Sequence, residues 1–257
     1  MPDTKSKGFC DLNGHTALVT GASGGIGSAI ALELGFAGAV VAAHYNEHQE
    51  RAQEVVEHIE LVGGRAAIFG CDLKRFEEIP KLVAQVTEEL GPPDILVNNA
   101  GINREGFLVR MSGGYVDELF AVNLLSTFYL SAECTKLMIK KRWGRIVFIS
   151  SPAAVAGSPG QSIYASSKSG LSGFSKSLSL ELGKRNVTSN VIIPGIVETS
   201  MLKGMTDDRR SELMERIPLE RFAQPWEVAK FVRYVVSEEA AYLNGQELHI
   251  NGGGVIF

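Results

Sequence analysis

The chain has 257 residues, 45% hydrophobic and 21% charged, with 25 Lys and Arg against 29 Asp and Glu for a formal charge of −4. That composition is too apolar for a disordered chain, and its mild acidity argues against a nucleic-acid partner. Three widely spaced cysteines, Cys10, Cys71 and Cys134, form no CxxC and frame no disulfide scaffold, which fits a reducing, cytoplasmic setting.

The length permits one large domain or two small ones, and a chain of this size needs no disulfide or metal staple. No apolar run approaches the about 18 residues of a membrane span. The opening MPDTKSKGFCDLNG lacks the apolar stretch of a signal peptide. Residues 1–12 read as an N-terminal extension and 13–257 as one domain, with no linker or repeat between them.

In chain order, HTALVT (15–20), AVVAA (39–43), AAIF (66–69), DILVN (94–98), RIVFIS (145–150), NVIIP (190–194) and ELHI (247–250) read as strands. They are continuously apolar rather than alternating, as in a parallel sheet covered on both faces. Helical stripes lie between them: Ala52, Val55, Val56, Ile59 and Val62; then Ile79, Leu82, Val83, Val86 and Leu90, stopped by Gly91-Pro92-Pro93; then Leu171, Phe174, Leu178 and Leu182. Repeated βαβ units predict a single doubly wound α/β (Rossmann) domain of about seven parallel strands with helices on both faces. In such a sheet ligands bind at the carboxyl ends of the strands, near the point where strand order reverses.

Directly after the first strand comes Thr20-Gly21-Ala22-Ser23-Gly24-Gly25-Ile26-Gly27, followed by a helical run through Leu34. Glycines let backbone approach a ligand, and the helix start offers free N–H groups to a pyrophosphate. Gly21 to Gly25 also spells the G-x-S-x-G elbow of hydrolases. Here only one strand precedes it, no oxyanion loop fits upstream, and no downstream histidine follows an acid at a strand end. His44-Tyr45-Asn46-Glu47-His48 spells H-x-x-E-H, but that metal motif requires a helix, and His44 ends a strand. No metal site is expected, and the two histidines read as solvated. Asn186-Val187-Thr188 is a glycosylation sequon by letter only.

Tyr164 and Lys168 are four apart at the start of a helical stretch, which puts both on one face. An ammonium beside a phenol lowers the phenol's pKa from about 10 and makes it a proton donor nearer neutral pH. Ser151 follows at the end of RIVFIS, on the edge where ligands bind.

Taken together these residues resemble the short-chain dehydrogenases/reductases, over about residues 12–254. Thr20-Gly21-x-x-x-Gly25-x-Gly27 is similar to that family's cofactor turn, and Asn98-Asn99-Ala100-Gly101 to its N-N-A-G motif. Ser151, Tyr164 and Lys168 are similar to its triad, Asn123 to its fourth catalytic position, and Pro194-Gly195 to the turn after its sixth strand.

The resemblance implies hydride transfer between a nicotinamide and a carbonyl carbon. Tyr164 would protonate the oxygen, Ser151 would hydrogen-bond it, Lys168 would bind the nicotinamide ribose and depress the Tyr164 pKa, and Asn123 would hold a water leading to solvent. Implied cofactor contacts are Gly21, Ser23, Gly24, Gly25, Ile26 and Gly27 at the turn, Tyr45 and Asn46 after the second strand, and Asp72 and Leu73 at the adenine. Asn99, Ala100, Gly101, Tyr164, Lys168, Pro194, Gly195, Ile196 and Thr199 complete the set. Tyr45 stands where an acid would select NAD(H), so NADP(H) is favoured, with His44, Asn46, His48 and Arg51 as candidate phosphate partners. The arginine that many NADP-dependent relatives carry in the turn is here Gly24.

Within the family, Ile102-Asn103-Arg104, the run 140–146, Gly173 to Leu178 and His249 to Gly253 resemble the 3-oxoacyl-acyl-carrier-protein reductases. That likeness implies a 3-oxoacyl substrate on an acyl carrier protein docked at Arg142 and Arg185, a mobile substrate lid over 197–217, and a homotetramer. Ser166, Ser169, Gly170 and Ser172 would let two helices approach. Pro152 and Pro159 depart from the pattern, which leaves open an acetoacetyl-CoA or a specialised polyketide or aryl-polyene ketoreductase. A dinucleotide-binding sensor without catalysis is the non-enzymatic alternative.

Overall fold

Successive residues of each central strand point into two different cores, because side chains alternate across a pleated sheet. Ala17 and Val19, Ile95 and Val97, and Val147 and Ile149 face one core, with Ile30 and Leu34, Val56 and Ile59, and Val228 and Val232 packed on them. Leu18, Leu96, Ile146 and Phe148 face the other, against Leu82 and Val86, Leu130 and Cys134, and Leu171 and Leu178. Each fully buried Leu or Ile contributes about 1.5–3 kcal/mol. Burial on both faces is why the strands read as unbroken apolar runs.

The structure, a computed structural model, describes residues 8–202 and 204–256. The first seven residues of the expected N-terminal extension, Lys203 of the expected lid, and Phe257 lie outside the described residues. Strands β1 (Thr16–Val19), β2 (Val40–Tyr45), β3 (Ala66–Gly70), β4 (Ile95–Asn98), β5 (Gly144–Ile149), β6 (Val187–Pro194) and β7 (Glu247–Ile250) form one parallel sheet in the order β3-β2-β1-β4-β5-β6-β7. Helices α1 (Gly25–Phe36), α2 (Gln49–Leu61) and α9 (Pro225–Val236) cover one face. The other is covered by α3 (Ile79–Leu90), α5 (Ser126–Lys141) and α7 (Ser162–Leu182). The shorter α4 (Gly113–Phe120) precedes α5, α6 (Ala153–Ala156) follows β5, and α8 (Asp207–Glu215) follows β6.

The seven expected strands are all present. β2 runs two residues further than expected, to Tyr45, and β6 starts three residues earlier, at Val187. The polar Thr188, Ser189 and Asn190 hid that start; the Ser189 hydroxyl pairs with that of Ser175 on α7, and Asn190 Nδ2 donates to Leu243 O. Strand order reverses between β1 and β4. The carboxyl ends of those two strands therefore flank the crevice in which ligands bind.

Candidate functional site

The turn after β1 is shaped by what its glycines lack. Gly21 sits at φ +66°, and a Cβ on it would lie 3.1 Å from Ala100 Cα. A Cβ on Gly27 would lie 2.2 Å from Gly21 O and 2.4 Å from Asn99 Nδ2, and one on Gly25 would lie 2.7 Å from Thr199 Cγ2. Gly24 is different: its φ of −99° suits any residue, and a Cβ there meets Gly21 O at an ordinary 3.5 Å. The first turn of α1 carries no acid. Free N–H groups and the positive helix end thus face a cradle that the glycines keep open, which fits the pyrophosphate of a dinucleotide.

Asn99 braces this turn from below, its Nδ2 donating to Thr20 O at 2.9 Å and Gly21 O at 3.3 Å. The Thr20 hydroxyl accepts from Asn99 N and Ala100 N, each at 3.0 Å, and donates to Val97 O. The ends of β1 and β4 are thereby one hydrogen-bonded unit. Thr20 belonged to the motif without a role; its place as the strand's last residue was the available signal.

His44 corrects the reading of two solvated histidines. Its Nδ1 accepts from Gly21 N at 3.2 Å and its Nε2 donates to Cys71 O at 2.9 Å. It is 2% exposed, so it clamps the glycine turn to the end of β3 and has no nitrogen left for a phosphate. Burial holds the imidazole neutral, with its pKa down at about 4. A base depressed in the folded state is protonated earlier in the unfolded chain, so the stability it confers is full above about pH 6.5 and is lost as pH falls towards 4. The loss is worth about 3 kcal/mol. Thermal melts of the wild type and His44→Asn between pH 7 and pH 4 check this: the variant's stability is expected to fall less steeply over that window.

Asn123 lies in a π-helical turn, Ala121–Leu125, that joins α4 to α5. Such bulges mark functional positions. The fully buried amide bridges elements: Oδ1 accepts from Ile102 N at 2.8 Å, and Nδ2 donates to Ile102 O at 3.0 Å and Ser167 Oγ at 3.2 Å. Ser167 escaped the sequence reading because no spacing ties residue 167 to 123. A Cβ on Gly101 would lie 3.2 Å from Lys168 Nζ and 3.3 Å from Asn123 Oδ1, so both side chains border the space that the missing side chain leaves.

β5 ends at Ile149, and Ser151 is held by Ala153 N, which donates to its Oγ at 3.2 Å after Pro152 at φ −56°. Tyr164 and Lys168 stand one turn apart on α7, as their spacing predicts. Lys168 Nζ donates to Ile149 O at 2.8 Å, and Ser150 Oγ donates to Lys168 O at 3.2 Å. The Ser151 hydroxyl acts on the Tyr164 phenol in the direction that favours its ionised form.

The expected depression of Tyr164 by Lys168 is not what these residues produce. Burial pushes the phenol above its usual value, and the Ser151 hydroxyl offsets only part of this. Lys168, itself desolvated and turned to the Ile149 carbonyl, is brought down to about 8. Near neutral pH the phenol therefore keeps its proton, while the lysine is poised to exchange one.

The remaining expected cofactor residues ring this centre. A Cβ on Gly195 would lie 2.9 Å from Asn251 Cα, and Gly195 N donates to Ile250 O. Ile196 O accepts from Ala223 N at 2.9 Å. Asp72 Oδ1 accepts from Lys74 N at 3.0 Å and shapes its own loop. Leu73 is turned into the core, which leaves only its main chain to face a cofactor. The Tyr45 ring lies against Gly70, and Asn46 is exposed. Ser23, Gly24 and Gly25 share a groove of about 740 Å³ with Arg51, Thr199 and Arg210. Within the expected lid, Arg210 on α8 pairs with Glu198 through both carboxylate oxygens, at 3.2 and 2.6 Å.

Two expectations fall elsewhere. Arg142 caps α5 in a left-handed conformation, its Nη2 donating to Lys184 O, and Arg185 ends the turn after α7. Both sit at the amino ends of β5 and β6, about 25 Å along α7 from Lys168. Two of the small residues of α7 make contacts within the chain: Gly170 leaves room for Leu124, which a Cβ would meet at 2.8 Å, and Ser169 Oγ donates to Ala154 O. Among the described residues there is no metal-binding cluster and no helix long and apolar enough to cross a membrane.

Known proteins share this arrangement. Residues 15–210 match the family described as short chain dehydrogenase. Nodulation protein G of Rhizobium sp. (strain N33) is 42% identical over 243 residues, covering 95% of this chain and 98% of that protein. A 3-oxoacyl-[acyl-carrier-protein] reductase of Staphylococcus aureus (strain N315) is 37% identical over 238 residues, covering 93% and 97%. A solved structure titled as a putative gluconate dehydrogenase from Agrobacterium tumefaciens superposes with a TM-score of 0.93 at 28% identity, over 98% of this chain and 100% of that one. With the glycine cradle, the Asn123 bridge and the Ser151–Tyr164–Lys168 cluster on one edge of the sheet, the chain belongs to the short-chain dehydrogenase/reductase family of NAD(P)-dependent oxidoreductases.

Proposed function

We propose that this protein reduces a 3-oxoacyl thioester to the 3-hydroxyacyl thioester with NADPH, and that its substrate is carried on an acyl carrier protein in the cytoplasm. The observation that carries the reading is the pairing of a protonated phenol, Tyr164, with the Ser151 hydroxyl beside the desolvated Lys168. A ketone oxygen placed between the two hydroxyls receives a hydrogen bond from Ser151, which stabilises the charge developing on it, and the proton of Tyr164. Lys168 and the buried Asn123 amide line the way by which that proton is replaced, and Lys168 at about 8 can pass one near operating pH. The bound nicotinamide supplies the hydride. The activity for which the Staphylococcus aureus relative is named supports the choice of a 3-oxoacyl carrier-protein substrate.

The cofactor preference rests on the groove beside the turn. Arg51, in the first turn of α2, lines it together with Ser23 and Gly24 and is exposed. It takes the place of the arginine that Gly24 does not supply, next to the ribose 2′ position at the end of β2. Of the two acids that line the groove, Glu54 and Glu198, the second is paired with Arg210. Carrier docking at Arg142 and Arg185 would take place on the edge opposite the chain's own catalytic cluster. A homotetramer that sets a second copy's cluster beside that edge suits this reading.

The test mixes the protein with NADPH or NADH and acetoacetyl-CoA or a 3-oxoacyl carrier protein and follows the loss of reduced-nicotinamide absorbance. Turnover with NADPH ahead of NADH is expected, and Arg51→Glu is expected to cut that preference by about tenfold. No turnover of any 3-oxoacyl thioester, or a strong NADH preference in the wild type, overturns the corresponding half of the proposal.

A further inference from the structure

We propose that Arg104 binds the phosphodiester of a pantetheine arm, which makes the loop between β4 and α4 the rim over which the thioester substrate enters. The inference rests on the thioester reading above and assigns a part of the substrate that reading leaves without a partner.

The loop is fixed at both ends to the catalytic cluster. Ile102 is held through both its backbone groups by the Asn123 amide. Gly106 N donates to Gly160 O at 2.9 Å, and the Gln161 amide donates to Glu105 at 3.2 Å. Residues 160 and 161 lead directly into α7 and Tyr164, so the 102–106 loop is tied to the segment that carries the phenol. Arg104 is at the middle of that loop.

Arg104 is itself held in place. The hydroxyl of Tyr115, a residue buried in α4, donates to Arg104 O at 3.3 Å, and the guanidinium lies over the same tyrosine ring, 4.8 Å from its centre. The carboxylate next in sequence, Glu105, is turned to Gln161. Among the described residues no acid comes within ion-pair distance of Arg104, whereas Arg75, Arg145, Arg209, Arg210, Arg216, Arg221 and Arg233 each have such a partner. Asn103 Oδ1, its neighbour, is buried and without a hydrogen-bond partner. Beyond Arg104 the loop presents Phe107, Leu108 and Val109, 62%, 61% and 92% exposed.

Along the loop a planar cation without an acid partner is therefore followed by an apolar strip. A pantetheine thioester likewise carries a phosphodiester and, beyond its thioester, an apolar acyl chain. A guanidinium stacked on a ring keeps its outward N–H fork free for phosphate oxygens, where Arg outperforms Lys because the fork is already oriented. A short, uncharged keto substrate would leave this cation unused.

The experiment compares two substrates that differ only in the phosphate: 3-oxobutyryl pantetheine and its 4′-phosphate, with NADPH. In the wild type kcat/KM is expected to be about tenfold higher for the phosphate, and this advantage is expected to shrink as ionic strength rises. In Arg104→Gln the ratio is expected to fall to about one, through KM rather than kcat, with Arg104→Lys between the two. Arg110→Gln, which removes an exposed cation further along the same loop, is expected to leave the ratio at its wild-type value. Equal use of the two substrates by the wild type, or an unchanged ratio in Arg104→Gln, overturns the assignment and leaves the thioester reading standing. Failure to reduce either substrate removes the thioester reading and this inference with it.

Discussion

Tyr164→Phe is expected to lower kcat by about a thousandfold or more while leaving cofactor affinity within a few-fold of the wild type. The phenol is the proton donor in the proposed reaction, and it differs from phenylalanine by one oxygen. The ring stays in place and continues to fill its half-buried site on α7. What disappears is the acid whose proton burial retains, together with the influence of the Ser151 hydroxyl on it. A loss of that size is about 4 kcal/mol of transition-state stabilisation. Single-turnover rates with NADPH, alongside a fluorescence titration of the cofactor, measure both quantities. A fall in kcat of less than tenfold would show that another group delivers the proton.

Gly27→Ala is expected to remove most cofactor binding and to lower stability by about 1–3 kcal/mol. The new methyl would need to occupy space 2.2 Å from Gly21 O and 2.4 Å from Asn99 Nδ2. Neither neighbour can yield cheaply. Gly21 O is backbone in a turn at positive φ, and the Asn99 amide holds that turn to β4. Relief of the clash would pull the start of α1 away from the end of β1 and spoil the alignment of its N–H groups. Gly24→Ala is the matched control, because its methyl would meet only Gly21 O, at 3.5 Å, with an ordinary backbone conformation. Dinucleotide titration and thermal melts of the two variants provide the comparison. Equal behaviour of the two would show that the cradle does not depend on the close packing of Gly27.

These two variants show why a glycine-rich motif underdetermines a site. By letter, Gly24 and Gly27 are the same residue in the same turn. Only the positions of Gly21 O and Asn99, the latter 72 residues on, separate a required glycine from an optional one. His44 makes the same point for charge. Beside Asn46 and His48 it looked solvated, but the β2 register turns it inward between Gly21 and Cys71.

The arginines at 142 and 185 are brought to the same sheet edge by parallel pairing of β5 with β6, and the length of α7 carries that edge away from Tyr164. Neither relation is a matter of local spacing. Arg104, by contrast, was visible only as a letter in a familiar stretch. Its stacking on Tyr115 and the turn of Glu105 towards Gln161 are what isolate it as a cation.

The amino-acid sequence alone determined the seven strands, the parallel doubly wound class, the phosphate turn and the Ser151, Tyr164 and Lys168 positions, because hydrophobic period, glycine placement and i,i+4 spacing act over short range and leave local marks. The protonation of the phenol and the lysine, the neutral clamp of His44, the Asn123 bridge and the isolation of Arg104 were decided by the tertiary structure. Each depends on desolvation and hydrogen bonds between segments tens of residues apart, and those energies exist only once the sheet has closed around them.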